Sequence, residues 1–320
     1  MNKRVLITGG FGYLGGRIAI DVARRTSWQI CLASRRNLEV PPWLPEAQTV
    51  TFDLSKPEGF EAVLKGVQAV VHLAAINEGE SRRFPEKAVE TNTIGTLRLL
   101  DAAVGMGVER FIYFSTVHIY GSPLAGCITE RSLPRPMDPY AITHHAAEEF
   151  VLSARDKGCI QGIVLRLSNG FGAPVWEGVD CWSLLINDLC MQAVRDKKLV
   201  LRSSGIQQRD FISLHDVGGV VSHFLDLPHN RCLDGLFNVG GENSMSVLSM
   251  AQRIVKCCQE VLGYGPQIVR PQPGTSEKSA EFTYDVAKLR QTGFLLQGDM
   301  DDEIRKTLRF CQFMQQRANA

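Results

Sequence analysis

The chain has 320 residues, of which 44% are apolar, and 35 basic residues against 34 acidic residues give a net charge of +1. This length and apolar fraction allow one large domain or two joined domains with a sizeable core, and the balanced charge excludes nucleic acid and membrane surfaces as expected partners. Nine scattered cysteines without a CxxC pair, and no signal peptide or apolar run of membrane-spanning length, predict a reduced, cytoplasmic protein without a metal site.

The first predicted elements are a strand at residues 5–7 and a helix over residues 17–25, joined by the turn TGGFGYLG. Glycines in such a turn permit positive φ, close approach of a pyrophosphate and tight packing of helix on strand. The free N–H groups and the positive end of the helix dipole then face the phosphates. A glycine turn also occurs for steric reasons alone, but the strand and helix alternation that follows favours a dinucleotide site at Gly9, Gly12, Tyr13 and Leu14.

The second predicted strand, residues 29–33, runs into Ser34-Arg35-Arg36. An acidic residue at this place holds the ribose 2′-hydroxyl of NAD, whereas arginines suit the 2′-phosphate of NADP. The triplet therefore favours NADP(H) over NAD(H), although exposed arginines also occur simply as solvated charge. A third strand, residues 49–52, ends at Asp53, which is expected to accept a hydrogen bond from the adenine amino group.

The fourth predicted strand, residues 69–75, ends in the small pair Ala74-Ala75, which lets the backbone pass close to the dinucleotide. A long helix is predicted over residues 85–105, with Asn92 and Thr96 on one face. Asn92 either contacts the cofactor or hydrogen-bonds a loop. The remaining predicted cofactor contacts in this half of the chain are Leu54, Leu73 and Ser115.

Chemistry-bearing side chains follow the fifth predicted strand, residues 110–114, in the segment STVHIYG. Open α/β sheets bind ligands at the carboxyl ends of their strands, so Thr116 and His118 are well placed for catalysis. A helix is then predicted to begin at Pro139, and it carries Tyr140 and His144 one turn apart on one face.

These elements predict an α/β fold, with a Rossmann-like, doubly wound parallel sheet and a smaller C-terminal substrate-binding lobe. The dinucleotide-binding domain is predicted at residues 1–167, with residues 206–241 returning to the sheet. The smaller lobe is predicted at residues 168–205 and 242–320, with helices over residues 182–194, 247–262 and 302–315.

Eight short motifs occur in an order and spacing that resemble the extended short-chain dehydrogenase/reductase family, in its nucleotide-sugar epimerase, dehydratase and reductase branch. They are TGGFGYLG, HLAA, NTIGT, FSTVHIYG, PYAITH, RLSNGFG, QRDFI and FNVGG, and they span nearly the whole chain. The resemblance implies a nucleotide-sugar substrate, an NAD(P) cofactor and a homodimer formed by the helices near Asn92 and Tyr140.

Position by position, the resemblance implies that Thr116 and Tyr140 form the catalytic pair, with Tyr140 exchanging a proton with a sugar hydroxyl or carbonyl. Arg209 matches the family's arginine that binds the substrate diphosphate, and Asn169 stands at a position that contacts substrate in the family. Arg270 is a further candidate phosphate ligand.

The main departure from the family pattern is His144, which stands where the family has a lysine that bonds the nicotinamide ribose and lowers the tyrosine pKa. Three alternatives follow. His144 is protonated in an active enzyme with a lower pH optimum. Alternatively, His144 is neutral and only hydrogen-bonds the ribose, while Thr116, His118 or water performs part of the proton transfer. Or catalysis has been lost.

A second departure is His118, which replaces a glutamate of the family's dehydratases, while Val117 stands where some have an aspartate. The usual 4,6-dehydration is therefore not expected. His118 is either an acid or base toward the sugar or a structural histidine. We expect reduction of a 4-keto nucleotide sugar first, epimerisation with a retained cofactor second, and a non-catalytic dinucleotide sensor third.

Overall fold

The computed structural model describes residues 3–274 and 280–318. Within them the strands are β1 (Arg4–Thr8), β2 (Gln29–Ser34), β3 (Gln48–Thr51), β4 (Ala69–His72), β5 (Arg110–Thr116), β6 (Gly126–Ile128), β7 (Gln161–Leu167), β8 (Asn169–Phe171), β9 (Lys198–Val200), β10 (Gln208–Arg209), β11 (Phe211–Ser213), β12 (Leu236–Val239), β13 (Met245–Ser246), β14 (Gln267–Val269) and β15 (Phe282–Tyr284).

The α-helices of the same residues are α1 (Tyr13–Arg25), α2 (Phe60–Leu64), α3 (Glu78–Arg83), α4 (Pro85–Ala88), α5 (Gly95–Gly105), α6 (Pro139–Asp156), α7 (Leu185–Asp196), α8 (Leu214–Asp226), α9 (Val247–Leu262), α10 (Ala287–Gln291) and α11 (Met300–Ala318). Short 3-10 turns lie at Pro57–Gly59, Val117–Tyr120 and His229–Arg231. None of these helices is both long and apolar enough to span a bilayer.

The central sheet has seven parallel strands in the order β12-β7-β5-β4-β1-β2-β3. The chain moves outward from β1 in one direction through β2 and β3, and in the other direction from β4 onward. The carboxyl ends of β1 and β4 therefore flank the crevice in which such sheets bind ligands. This topology, with helices on the flanks, confirms the predicted Rossmann-like α/β fold.

Two apolar layers cover the sheet because successive side chains of a buried strand point to opposite faces. Val5 and Ile7 of β1 belong to the layer that contains α1 and α8, whereas Leu6 between them belongs to the layer that contains α5 and α6. All three side chains are fully buried. Each such side chain stabilises the fold by about 1.5–3 kcal/mol.

A third apolar cluster is built largely from α7, α9 and α11 in the C-terminal part of the chain. Its buried side chains include Ile254, Leu308 and the free cysteines Cys190 and Cys258. The predicted helix at residues 247–262 coincides with α9. The exact division of the chain into two lobes stays a prediction.

The helix predicted over residues 85–105 is interrupted by one π-helical turn, Val89–Ile94, between α4 and α5. A π turn holds one residue more than an α turn, and such turns occur frequently at functional sites. It contains the buried Asn92, whose amide oxygen accepts from the backbone N–H of Ile76 at 2.9 Å and whose amide nitrogen donates to Thr143 Oγ1 at 3.1 Å. These tertiary hydrogen bonds hold a widened turn that periodicity along the sequence does not reveal.

Candidate active site

The glycine turn between β1 and α1 forms a backbone cradle. Gly9 has a φ of +68°, and the N–H of Gly12 donates to the Gly9 carbonyl at 2.8 Å. A side chain at Gly15 would place its Cβ 2.2 Å from that carbonyl oxygen, so only glycine fits there. Gly12 precedes α1 without any capping side chain, which leaves the N–H groups of the first turn available to an anion.

Tyr13 and Arg17, in the first turns of α1, connect this cradle to the C-terminal lobe. The Tyr13 hydroxyl lies within hydrogen-bond distance of the Gly172 carbonyl, at 2.8 Å, and of Asn187 Oδ1, at 3.2 Å. Arg17 forms a 2.6 Å ion pair with the buried Glu303. The hydroxyl of Tyr13 thus binds protein groups, and its predicted contact with the cofactor stays a prediction, as does that of Leu14.

At the carboxyl ends of β2 and β3 lies a cleft of about 390 Å³, whose lining includes Arg35, Asp53 and Lys56. Arg35 and Arg36 are exposed, and Ser34 accepts a hydrogen bond from the N–H of Arg36. Hydrogen bonds from the backbone and side chain of Ser55 lower the pKa of Asp53, so its carboxylate is ionised at neutral pH and able to accept hydrogen bonds. Sequence analysis missed Lys56, a second cation in this cleft, although it lies three residues after Asp53.

Leu54, Ala74 and Ala75 lie at neighbouring strand ends but differ in exposure. Leu54 is 5% exposed and packs in the core beneath the sheet edge, so only its backbone is left for a ligand. Gly9 lies so close to Leu73 and Ala74 that an added Cβ would be 3.3 Å from their backbone atoms. This close approach of the backbone, together with the positive φ, explains why position 9 is glycine.

A chain of buried hydrogen bonds supports the carboxyl end of β4. The Thr8 hydroxyl accepts from the backbone N–H groups that follow His72 and donates to His72 Nδ1 at 2.6 Å. His72 Nε2 then donates to Thr96 Oγ1 at 2.9 Å, and Thr96 donates to the Asn92 carbonyl at 2.6 Å. Burial lowers the pKa of His72 to about 3, so this imidazole is neutral and structural. Because the Asn92 amide also binds protein groups, its predicted role as a cofactor ligand stays a prediction.

The predicted catalytic rings come together where β5 ends and α6 begins. Asp138 caps α6 by accepting from the N–H of Ala141 at 3.0 Å, which sets Tyr140 in the first turn. The ring centroids of Tyr140 and His144 are 4.4 Å apart, and those of Tyr140 and His118 are 6.5 Å apart. Thr116 is the last residue of β5, and its hydroxyl accepts from the N–H of His118.

His144 is 4% exposed, and its Nδ1 lies 2.8 Å from the Tyr113 hydroxyl. Within residues 3–274 and 280–318, its Nε2 and the Ser115 hydroxyl have no hydrogen-bond partner, although both are buried. Burial lowers the pKa of His144 to about 4, against an opposing effect of the Phe114 backbone. The imidazole is therefore neutral at pH 7, which favours the second of the three alternatives for this residue over the protonated one.

Tyr140 has a pKa raised to about 12, first by burial and then by the carboxylates of Glu78 and Asp138. Glu78 begins α3 and forms an ion pair with Arg82 at 2.5 Å. Sequence analysis missed Glu78, although an acidic residue shortly after the HLAA strand end was a usable signal. The arrangement keeps Tyr140 protonated.

The predicted substrate residues lie on or directly after three short strands, β8, β10 and β14. The amide of Asn169 donates to the Asp210 backbone carbonyl at 2.9 Å, and this contact joins β8 to the segment around β11. Arg209 on β10 is exposed, while Arg270, after β14, donates to the Ser204 carbonyl at 2.7 Å. Their predicted contacts with substrate stay predictions.

Asp210 is a buried residue of the QRDFI motif that sequence analysis did not single out. Its carboxylate accepts from the Ser168 hydroxyl at 2.5 Å, the Gly241 N–H at 2.9 Å and the Asn243 N–H at 3.1 Å. It thus ties together the RLSNGFG, QRDFI and FNVGG segments beside Arg209. Its role is to position backbone rather than to contact substrate.

A dinucleotide fits these features. The first turn of α1, after Gly12, offers backbone N–H groups that an anion would accept from, and the Ser115 hydroxyl and His144 Nε2 are buried polar groups that a ligand would satisfy. An unpartnered buried polar group costs about 1–3 kcal/mol, so such groups usually mark a ligand position.

Comparison with known proteins decides the family. The model of the NAD-dependent epimerase/dehydratase family matches residues 5–240, well over half of the chain. The chain belongs to this family. The match confirms the predicted extended short-chain dehydrogenase/reductase family and the expectation of an NAD(P)-dependent enzyme.

Individual relatives of this family member are distant. The chain is 27% identical over 272 residues to the dTDP-D-glucose 4,6-dehydratase of Mus musculus, covering 81% of this chain and 74% of the relative. It is 32% identical over 183 residues to the UDP-glucose 4-epimerase of Rhizobium leguminosarum bv. trifolii, covering 56% of each. The structure of MoeE5 in complex with UDP-glucose and NAD superposes with a TM-score of 0.79 at 24% identity, covering 99% of this chain and 100% of that one. The last likeness shows the fold alone.

Proposed function

We propose that this family member binds NADP(H) and reduces a 4-keto group of a nucleotide-activated sugar, with Tyr140 and Thr116 as the proton-transfer pair. The observation that carries the proposal is the protonation state of the site. Tyr140 has a pKa of about 12 and is flanked by a neutral His144. When bound, NADPH supplies a hydride to a carbonyl carbon.

The resting protonation state matches the form of Tyr140 from which reduction starts. Oxidation of a sugar hydroxyl requires a base, and Tyr140 serves as one only as the phenolate, which burial and the Glu78 carboxylate disfavour. Reduction of a carbonyl requires an acid, and the protonated phenol of Tyr140 is able to protonate the more basic alkoxide that forms. At pH 7 the free site thus holds the proton that reduction consumes, and this proton leaves the Tyr140 hydroxyl for the former carbonyl oxygen.

The NADP(H) preference rests on the charge of the cleft after β2 and β3. Arg35 and Lys56 line it together, and Arg36 is exposed next to Arg35. Ser34 stands where an acidic residue would hold the 2′-hydroxyl of NAD. A 2′-phosphate would gain charge-assisted hydrogen bonds from these cations.

A nucleotide sugar is supported by Arg209 on β10, by Asn169 on β8 and by the relatives. The mouse and Rhizobium proteins are, by name, enzymes of a dTDP-sugar and a UDP-sugar. The exposed guanidinium of Arg209 suits a diphosphate. Arg270 remains a candidate for a second phosphate contact.

Epimerisation with a retained cofactor is the second candidate, because the Rhizobium relative is a UDP-glucose 4-epimerase at 32% identity. An epimerase would have to oxidise its substrate first. That step needs the Tyr140 phenolate, which this site disfavours.

We also infer a homodimer through the outer face of α4, the π turn and α6. Four large apolar side chains are 39–49% exposed on or beside these elements: Phe84, Val89, Ile142 and Phe150. The resemblance implies dimerisation through the same helices. Sedimentation of the wild type and of Ile142→Asp tests it, with a dimer expected for the first and a monomer for the second.

The test of the proposed function follows NADPH absorbance with a panel of 4-keto and ordinary nucleotide sugars, with products identified by mass and NMR. We expect stoichiometric loss of NADPH with a 4-keto sugar and none with an ordinary sugar. Tyr140→Phe should lower turnover by about 10²–10⁴-fold, because it removes the acid. The matched control Tyr264→Phe removes a hydroxyl that donates to the Ala193 carbonyl and should leave turnover unchanged. Tight NADPH binding with no sugar altered at any pH would instead support the non-catalytic sensor.

A further inference from the structure

Tyr113, on β5, places its side-chain hydroxyl within hydrogen-bond distance of the His144 ring, and the two residues lie 31 positions apart in sequence. Its hydroxyl is 2.8 Å from His144 Nδ1, and the two residues are 2% and 4% exposed. Burial raises the pKa of Tyr113 well above its ordinary value, so the phenol keeps its proton. The geometry pairs a neutral phenol with a neutral imidazole.

This pair determines which ring nitrogen of His144 carries the hydrogen. The Tyr113 hydroxyl has no hydrogen-bond partner other than His144 Nδ1 among residues 3–274 and 280–318. If Nδ1 carried the hydrogen, the buried phenol proton would have no acceptor. This loss would disfavour that tautomer of His144 by about tenfold or more in the equilibrium between the two neutral tautomers. If Tyr113 donates to Nδ1, every buried hydrogen of the pair is satisfied except the one on Nε2.

We propose that Tyr113 is a positioning residue, which fixes His144 as the neutral tautomer with hydrogen on Nε2 so that His144 offers one uncharged donor to an oxygen atom of the bound dinucleotide. Nε2 is the buried atom that lacks a protein partner, and the ring it belongs to packs against Tyr140. The second orphan, the Ser115 hydroxyl, lies two residues beyond Tyr113 on β5. The identity of the acceptor rests on the proposed function, but the tautomer does not.

The groups that face His144 explain why the ring stays uncharged. They are Tyr113 from β5, His72 from β4, His118 from the 3-10 turn, Tyr140 from its own helix and Asp138 from the helix cap. The Phe114 backbone and, more weakly, the Asp138 carboxylate favour protonation of His144, whereas His118 opposes it. Burial outweighs both favourable effects.

The test is nitrogen NMR of ¹⁵N-histidine-labelled protein at pH 7, with the His144 signals identified by their loss in His144→Gln. We expect a neutral ring with hydrogen on Nε2 in the free protein, and a shift of that Nε2 signal when NADPH is added. A ring with hydrogen on Nδ1, a protonated ring at pH 7, or an Nε2 signal unmoved by saturating NADPH would overturn the proposal.

The variant Tyr113→Phe removes only the hydroxyl. We expect both tautomers of His144 to become populated, and equal populations would weaken the affinity for NADPH by about twofold. Tyr284→Phe is the matched control, because it deletes an equally buried hydroxyl that donates to the Arg166 carbonyl instead. It should leave the His144 spectrum and the affinity unchanged, whereas an unchanged spectrum in Tyr113→Phe would contradict the assigned role.

These measurements separate the inference from the proposed function. A protein that fails to reduce any keto sugar, but whose Nε2 signal shifts with NADPH, would refute the function and retain the role of Tyr113. A reductase whose Nε2 signal does not shift with NADPH would retain the proposed function and refute the role of Tyr113.

Discussion

The His144 ring packs edge-on against the Tyr140 ring, with centroids 4.4 Å apart and planes inclined by 62°. A cation at this distance would stabilise the Tyr140 phenolate, but the buried imidazole is neutral at pH 7. Nearby carboxylates add to burial in disfavouring the phenolate. Beside this neutral ring, the Tyr140 hydroxyl keeps its proton at pH 7.

Replacing His144 with lysine should move the pH profile of sugar-alcohol oxidation. An ammonium group within about 4–6 Å lowers the pKa of a tyrosine by about 1–3, so more phenolate forms at a given pH. We expect His144→Lys to move the acid limb of the profile for oxidation by NADP⁺ to lower pH by about 1–3. His144→Gln, which stays uncharged, should not gain oxidation. Equal oxidation rates in the two variants would contradict this electrostatic account.

Removing the Glu78 carboxylate should lower the pKa of Tyr140, because that carboxylate helps to raise it. Glu78→Gln is expected to move the alkaline limb of kcat/KM for reduction to lower pH, with a rate change of only a few-fold because Glu78 is partly exposed. Glu80→Gln is the control, since Glu80 lies on the same short helix as Glu78 but pairs with Lys87 of α4. The pH profile of Glu80→Gln should match that of the wild type, and a shift of equal size in both variants would rule out a specific effect.

The free energy of unfolding should fall as the pH drops from 7 to 5. His144 has a native pKa of about 4, whereas an unfolded histidine has one near 6.5, so the unfolded chain binds the proton first. Stability is complete above about pH 6.5 and is lost as the pH falls toward 4. Over pH 7 to 5, His144 accounts for about 2 kcal/mol of this loss. Urea unfolding at both pH values should show a pH dependence smaller by that amount in His144→Gln, and an unchanged dependence would mean that His144 is not buried and neutral.

Cofactor choice should depend on Arg35. Arg35→Ala removes a cation that lines the cleft beside Asp53, and we expect it to weaken NADPH binding by about tenfold or more while leaving NADH binding nearly unchanged. Titration calorimetry of both cofactors measures the two affinities. Arg24→Ala, an exposed arginine near the end of α1, serves as the charge control. Equal weakening of NADPH and NADH would contradict recognition of a 2′-phosphate.

The sequence was sufficient for the sheet and for the catalytic helix, because both depend on local patterns. Apolar runs such as residues 5–7 and 110–114 mark buried parallel strands, and the spacing of Tyr140 and His144 places them on one helix face. Features that depend on distant partners were not predictable. From the sequence, Tyr113 is interpreted as a core aromatic, and only the fold shows that it contacts His144. Asp210 is likewise interpreted as a solvated charge, whereas the fold surrounds it with the segments at Ser168 and Gly241. The π turn escapes prediction for the same reason.

The central claim is most directly tested by following a deuteride from NADPH labelled at the transferable position of its nicotinamide. After incubation with a 4-keto nucleotide sugar, we expect one deuterium at the former carbonyl carbon of the product, matched by loss of one NADPH per product. Interconversion of nucleotide sugars without uptake of deuterium from added NADPH would show a retained cofactor, and would contradict the reductase in favour of the epimerase.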